Sequence, residues 1–372
     1  LGSAAALRID AVRAEAFRLY EQVHTFKLDP AHTHKESAQA AQQTFAVTVD
    51  EYLEARERKT SRGKKSRART LTNHKRHLKE QAKGLHSLRM DRISPRDISA
   101  VLKRVCEGSG PAQADRLRSS ISGLFRWAVR QHYCKENPAL ATDTAGANGP
   151  REVFLTDSEL VAVWHALPDD HYGALVKQLI LCGARREEIG AMRWSWIKTE
   201  PFEVKGQAIC PPVLALPGEW NLPTKSKYPG FQGTKNHCDH YLPLSTFAFD
   251  IIRGLERHPN SDLVFFGHGD NGFVSWKRPI ERLRKKVGLD KHFTLHDLRR
   301  TVATGLGARK TPPHVIEAIL NHIGGFGKSG VSNPRLARIY NTYRYQPEMR
   351  EALEAWGNHV KALVGPQFRA VA

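Results

Sequence analysis

Several segments in the second half of the chain carry side chains suited to a phosphodiester. "GARREEIG" places Arg185 and Arg186 just after a glycine, at an expected helix break. "GTKNHCDHYLPLS" places Lys235 at a hairpin turn, and "PTKSK" offers Lys225 as a rival. "TLHDLRRT" sets His296 and Arg299 three residues apart, on one face of a helix. "ILNHIGG" adds His322, and "IYNTYRYQP" adds Tyr340, Tyr343 and Tyr345. A guanidinium fork makes two parallel bonds to two phosphate oxygens and keeps its charge. A lysine can protonate a leaving oxygen, and a histidine can give or take a proton near neutral pH. A phenol, with a pKa of about 10, is a useful nucleophile only where cations stabilise its phenolate and the transition state together. Such a set needs no metal and no cofactor. Taken singly, each element has an ordinary structural reading: Arg185 as a surface ion pair, the tyrosines as packing.

The rest of the chain must position these groups. It has 372 residues, enough for two or three domains with sizeable cores. Lys and Arg number 57 against 38 Asp and Glu, a net charge of +19. That imbalance calls for a polyanionic partner, with nucleic acid first and an anionic membrane surface as the alternative. No apolar run approaches the roughly 18 residues of a membrane span, and no signal-peptide pattern opens the chain. A cytoplasmic, nucleoid-associated protein with no membrane partner is the expectation. The cysteines, Cys106, Cys134, Cys182, Cys210 and Cys238, form no C-x-x-C pair and read as reduced thiols. His32 and His34 lack a second ligand pair at zinc-site spacing, so no metal is expected.

Periodicity gives the organisation. In "RIDAVRAEAFRLYEQV", Ile9, Val12, Ala16, Leu19 and Val23 fall on one helical face. A polar connector follows. Residues 44–142 read as all helical, with Thr48 or Asp50 as the first cap. There Arg56, Arg58, Lys59, Arg62, Lys64, Lys65, Arg67 and Arg69 form a run better explained as a phosphate-facing arm than as a solvated loop. In "ADRLRSSISGLFRWAVRQHY", Leu117, Ile121, Leu124, Phe125 and Ala128 line a core face, leaving Arg116, Arg118, Arg126 and Arg130 to point outward. Residues 143–151 are a linker punctuated by Pro150. Thr156 and Glu159 have capping-box spacing, opening a second domain over 152–364 with short strands around 202–245, then helices. The fold class is mainly α with a small β-sheet insertion, and 365–372 is a tail.

The order Arg, hairpin Lys, H-x-x-R, His, Tyr resembles the catalytic domain of the tyrosine recombinases, the phage integrase family. "LILCGARREEIGAMRW" is similar to that family's G-x-R-x-x-E box, "HDLRRT" to its H-x-L-R box and "LNH" to its L-[GN]-H box. The gap between His322 and the tyrosines, filled by "GGFGKSGVSNPRL", resembles the genomic-island and satellite-phage type. The same filler echoes a P-loop, but His322 stands where that motif needs glycine, and a loop is the better reading.

The resemblance implies a helical, SAM-like core-binding DNA domain over 44–142 and a mixed α+β catalytic domain over 152–364. It makes residues 1–43 a remnant of an arm-binding domain with its linker. It implies that Arg185 and Arg299 grip the scissile phosphate, with Glu188 supporting Arg185. Lys235, preferred over Lys225, protonates the 5′ oxygen. His296 and His322 bond the phosphate and help move the nucleophile's proton. Tyr340, preferred over Tyr343, forms a 3′-phosphotyrosyl link. The implied partners are double-stranded attachment-site DNA, further protomers in a tetramer, and DNA-bending and excision factors. A catalytically silent DNA-binding protein and a type IB topoisomerase-like enzyme are the alternatives.

Overall fold

A computed structural model describes residues 8–25, 43–58, 68–146, 152–220, 231, 233–266, 272–273, 275–322 and 343–365. They fall into two compact units, Leu1–Arg151 and Glu152–Ala372.

The first unit is helical. α1 (Ile9–His24) forms where the sequence pattern places it, but Ile9, Ala16 and Val23 are exposed and Val12 and Leu19 only half-buried. α2 (Phe45–Glu57) starts earlier than expected. Thr44 is the cap and accepts from the Val47 N–H, while the Thr48 hydroxyl donates back to the Thr44 carbonyl at 2.8 Å. Thr48, fully buried, and Asp50 both lie inside the helix, so neither opens it. Phe45, apolar and just inside the start, packs on Phe125 and draws the boundary forward.

α3 (Ala68–Lys75) runs into a π-helical turn, Arg76–Gln81. α4 (Pro95–Ser109) opens with a Ser94–Asp97 capping box and Pro95 in its first turn. α5 (Pro111–Arg130) buries Leu117, Ile121, Leu124, Phe125 and Ala128 against Phe45, Leu78 and Ile98.

The second unit surrounds a larger core. α6 (Asp157–Ala166) carries the expected Thr156–Glu159 capping box. α7 (His171–Cys182) is buried on almost every side. It stops at Gly183, whose φ of 60° is left-handed and whose hydrogen faces Val302 and Leu320. A short α8 (Arg186–Gly190) follows.

The β insertion has two parts. β1 (Ile197–Lys198), β4 (Val213–Leu216) and β5 (His240–Pro243) form an antiparallel sheet in the order β1-β4-β5. β2 (Phe202–Val204) and β3 (Gln207–Ile209) form a separate hairpin. Its turn, Lys205-Gly206, has positive φ at both positions, as a two-residue loop matched to strand twist requires.

α9 (Thr246–Arg253), α10 (Lys277–Val287), α11 (Leu295–Ala308), α12 (Pro313–Ile319) and α13 (Gln346–Val364) complete the unit. Leu353, Trp356 and Val360 on α13 are core. The Trp356 indole N–H donates to the Ile180 carbonyl at 2.8 Å, and its ring lies on Gly305 of α11. α7, α11 and α13 are thereby locked together, and α7 and α11 carry the site.

Candidate active site

The turn after α7 presents Arg185. Glu188 lies one helical turn on, 3% exposed, and closes a capping box with it. Its carboxylate accepts from the Arg185 backbone N–H at 2.8 Å and from the guanidinium at 2.8 Å. The other guanidinium nitrogen donates to the Asn321 carbonyl at 3.4 Å. Arg185 is thus fixed from both ends.

α11 supplies the second pair. A Thr294–Asp297 capping box starts it, so His296 and Arg299 stand one turn apart. Arg299 is buried and donates to the carbonyls of Gly183 and Leu320. Burial first, then Arg185, pushes its pKa down to about 10, so it keeps its charge at neutral pH. His296 faces solvent, yet partial desolvation, Arg299 and Arg300 hold its pKa below the ordinary imidazole value.

Arg185, His296 and Arg299 line one cleft of about 570 Å³, walled by Arg186 and by Lys277 and Arg284 of α10. Arg186 lies over the Trp276 ring, 5.5 Å from its centre. So many cations on one concave surface favour a bound anion and focus its approach.

His322 follows α12 and pairs with Glu317 at 3.0 Å. Partial burial, then Arg299, lowers its pKa, while Glu317 works the other way. Lys235 is exposed in the turn before β5. The next residue, Asn236, donates its side-chain N–H to the Asn321 side chain, tying that turn to the His322 turn. Lys225, Tyr340 and the "GGFGKS" segment lie outside the described residues.

Tyr343 lies before the last helix and is itself not helical. α13 begins only at Gln346, and Tyr345 before it has a left-handed φ of 55°. Tyr343 donates to Glu348 at 3.2 Å. Desolvation, then that carboxylate, raises its phenol pKa. Tyr345 packs on His314, ring centres 4.8 Å apart.

In the helical unit, Arg116, Arg126 and Arg130 are exposed as expected. Arg118 is a correction. Its guanidinium donates to the Thr142 carbonyl at 2.8 Å and to the Thr142 hydroxyl at 2.9 Å, clamping the segment after α5. It is half-buried, with its guanidinium turned onto Thr142 rather than to solvent. Arg56 donates to the Tyr52 hydroxyl at 3.1 Å, and Arg58 pairs with Glu54 at 3.6 Å. The side chains of Lys59, Arg62, Lys64, Lys65, Arg67 and Arg69 lie outside the described residues.

Sequence reasoning missed Lys277, Arg284, Glu317, Asn236 and Asn321. The basic run "KRPIERLRKK" could have flagged the first two. It also missed His240 at the start of β5. His240 is buried, its Nε2 is 3.2 Å from the Ile319 carbonyl, and burial pushes its pKa down to about 4. Among the described residues, no group of three or more His, Cys, Asp or Glu could hold a metal, and no helix is long and apolar enough to cross a membrane.

Residues 154–324 match the phage integrase family and residues 45–145 the phage integrase central domain, and the chain belongs to that family of tyrosine recombinases. It is 26% identical to the prophage integrase IntZ of Escherichia coli K12 over 281 residues, covering 73% of this chain and 61% of that one. It is 27% identical to the integrase of Enterobacteria phage 434 over 304 residues, covering 80% and 78%. The chain therefore spans only about three fifths of the E. coli relative. A lambda integrase tetramer bound to a Holliday junction shares the fold, with a TM-score of 0.59 at 20% identity over 85% of this chain and 88% of that one.

Proposed function

We propose that this protein is a site-specific DNA recombinase that integrates or excises a mobile element through a 3′-phosphotyrosyl intermediate. The observation that carries this reading is the cleft where Arg185, held by Glu188, faces His296 and Arg299 among further cations. Two fixed guanidinium groups suit the equatorial oxygens of a pentacoordinate phosphate. Tyr340 is the proposed nucleophile. Its oxygen bonds to phosphorus as the bond from phosphorus to the 5′ oxygen breaks. The phenol proton passes to His322 or His296, both biased toward the neutral, accepting form. Lys235 gives a proton to the departing 5′ oxygen. The phosphotyrosyl ester retains the energy of the broken bond, so the released 5′ hydroxyl of a partner duplex can reverse the step without a nucleotide cofactor.

Double-stranded DNA carrying the element's attachment sites is the proposed substrate. The exposed Arg116 and Arg126 and the basic run after α2 would supply phosphate contacts in the helical unit. Strand exchange needs cleavage on both duplexes, so a tetramer on paired sites is the proposed working assembly. The lambda integrase tetramer on a Holliday junction has the same fold.

The test is covalent trapping. A binding site is selected from a randomised duplex pool, nicked near the cut position, and incubated with wild type, Tyr340→Phe and Tyr343→Phe before denaturing electrophoresis. A protein–DNA adduct lost only in Tyr340→Phe is expected. Loss only in Tyr343→Phe would move the nucleophile. No adduct from wild type on a site it binds would favour a catalytically silent DNA-binding protein.

A further inference from the structure

Asn321 stands in the turn between α12 and His322 with a φ of 48°, a left-handed conformation that glycine adopts more easily. A residue chosen only for that turn would be glycine. Asparagine tolerates the conformation and adds a side chain. Here that side chain has a defined partner: its Oδ1 accepts from the Asn236 side-chain N–H.

Asn236 has no freedom to turn away. Its own Oδ1 accepts from the Cys238 N–H at 3.1 Å, which fixes which end of the amide faces Asn321. Thr234 is fully buried, and its N–H donates to the Pro217 carbonyl at 3.1 Å. Lys235 therefore lies between a buried threonine and an asparagine committed on both ends. On the other side, the Asn321 backbone carbonyl accepts from Arg185.

We propose that the Asn236–Asn321 bond is a latch that positions Lys235 for proton donation, by fastening the lysine turn to the turn that bears His322 and holds Arg185. Both asparagines are positioning residues and touch no substrate. The latch rests on the recombinase reading, with Lys235 as the acid. Opening it leaves the lysine chemically intact but unfastens its turn from the one that bears His322. The defect should then be confined to the step that needs the proton: cleavage of phosphorus from the 5′ oxygen.

A bridging sulfur in place of that oxygen separates this step from the others. A thiolate leaves without a proton, so the bond from phosphorus to sulfur breaks with no acid. Adduct formation is measured for wild type, Asn321→Gly, Asn236→Ala, the double variant and Asn321→Asp. Each is tested on the ordinary nicked duplex and on one with 5′-bridging sulfur at the mapped cut position. Glycine preserves the turn, and thermal unfolding checks each fold.

On the ordinary duplex, Asn321→Gly and Asn236→Ala should each be slowed at least about tenfold, a modest part of a general acid's contribution. The double variant should be no slower than either single one. On the sulfur duplex all should run within about twofold of wild type. Asn321→Asp, which keeps an acceptor and tolerates the turn, should restore most of the ordinary rate. Equal slowing on both duplexes, or none on either, overturns the latch. Absence of any wild-type adduct overturns the recombinase reading, and the latch with it.

Discussion

Glu188 holds Arg185 by two atoms at once, accepting from its backbone N–H and from its guanidinium, each at 2.8 Å. A carboxylate 3% exposed would be costly to bury alone, and the arginine would wander in the cleft without it. The same two bonds start α8 and orient the guanidinium that lines the cleft. Glu188→Ala should therefore lose about 2–3 kcal/mol of stability, read by urea unfolding, since the partly exposed Arg185 recovers some hydration. It should also lower adduct yield, and Glu188→Gln should recover part of both by keeping an acceptor.

Arg118 illustrates a different use of arginine. Its guanidinium serves the Thr142 carbonyl and hydroxyl. Arg118→Ala should cost about 1–3 kcal/mol, as expected for charge-assisted bonds. It should leave the salt dependence of DNA binding unchanged. Arg126→Ala, from an exposed position, should do the reverse: little change in stability and a shallower slope of log K against log salt, by about 0.9 if it contacts one phosphate. Fluorescence anisotropy over a salt series separates the two variants.

The contrast shows what the sequence can and cannot carry. Apolar periodicity on α5 marked Leu117, Ile121, Leu124, Phe125 and Ala128 correctly, because burial follows the helical repeat. The same repeat could only say that Arg118 was off the core face, not that Thr142 would return to meet it. Capping boxes at Thr156 and Thr294 are local and show in sequence, or could have. The start of α2 was missed because a buried Thr48 mimics a cap. In the site, Arg185, His296 and Arg299 were legible as boxes, and the structure places them on one cleft. Lys277 and Arg284 were not, since the fold alone brings α10 to that cleft. Asn236 and Asn321 bond across 85 positions, and no local pattern announces such a pair.

Gly305 is a packing requirement. A Cβ there would fall 2.2 Å from the Trp356 ring. Gly305→Ala should destabilise by at least about 1–3 kcal/mol through overpacking, despite alanine's better helix propensity. Trp356→Ala should cost about 3–5 kcal/mol from the cavity, and more where the Ile180 carbonyl loses its donor. In the double variant the alanine methyl group partly fills the space left by the indole, so the two losses should sum to more than the measured total. Urea titration of the four proteins gives the cycle.

His240 predicts an acid sensitivity. Its folded pKa, pushed down to about 4 by burial, lies below the unfolded value of about 6.5. Above pH 6.5 both states are neutral there and the histidine costs nothing. As pH falls from 6.5 toward 4, the unfolded chain gains a proton that the folded one refuses, and stability drops. At pH 4.5 the loss should be about 2–3 kcal/mol from this residue. Carboxylates also titrate in that window, so the readout is the difference from His240→Gln. The pH 7 to pH 4.5 fall in unfolding free energy should be smaller in the variant. An equal fall would remove His240 from the account.

If the proposed cleavage uses His322, its pairing with Glu317 should set the pH dependence. Burial and Arg299 lower the His322 pKa, and Glu317, 3.0 Å from its Nδ1, opposes them. If the neutral ring accepts the nucleophile's proton, the rate rises with pH and levels off once His322 has lost its own. Glu317→Gln removes the opposing charge, so His322 should deprotonate at lower pH. The acid limb of the rate profile should then shift toward acid, while the plateau falls only as far as ring orientation suffers. Single-turnover adduct formation across pH 5–8 reads both. A limb that stays in place while His322→Gln abolishes it would mean that Glu317 orients the ring without tuning its charge. A limb unaffected by either change would assign the proton to His296.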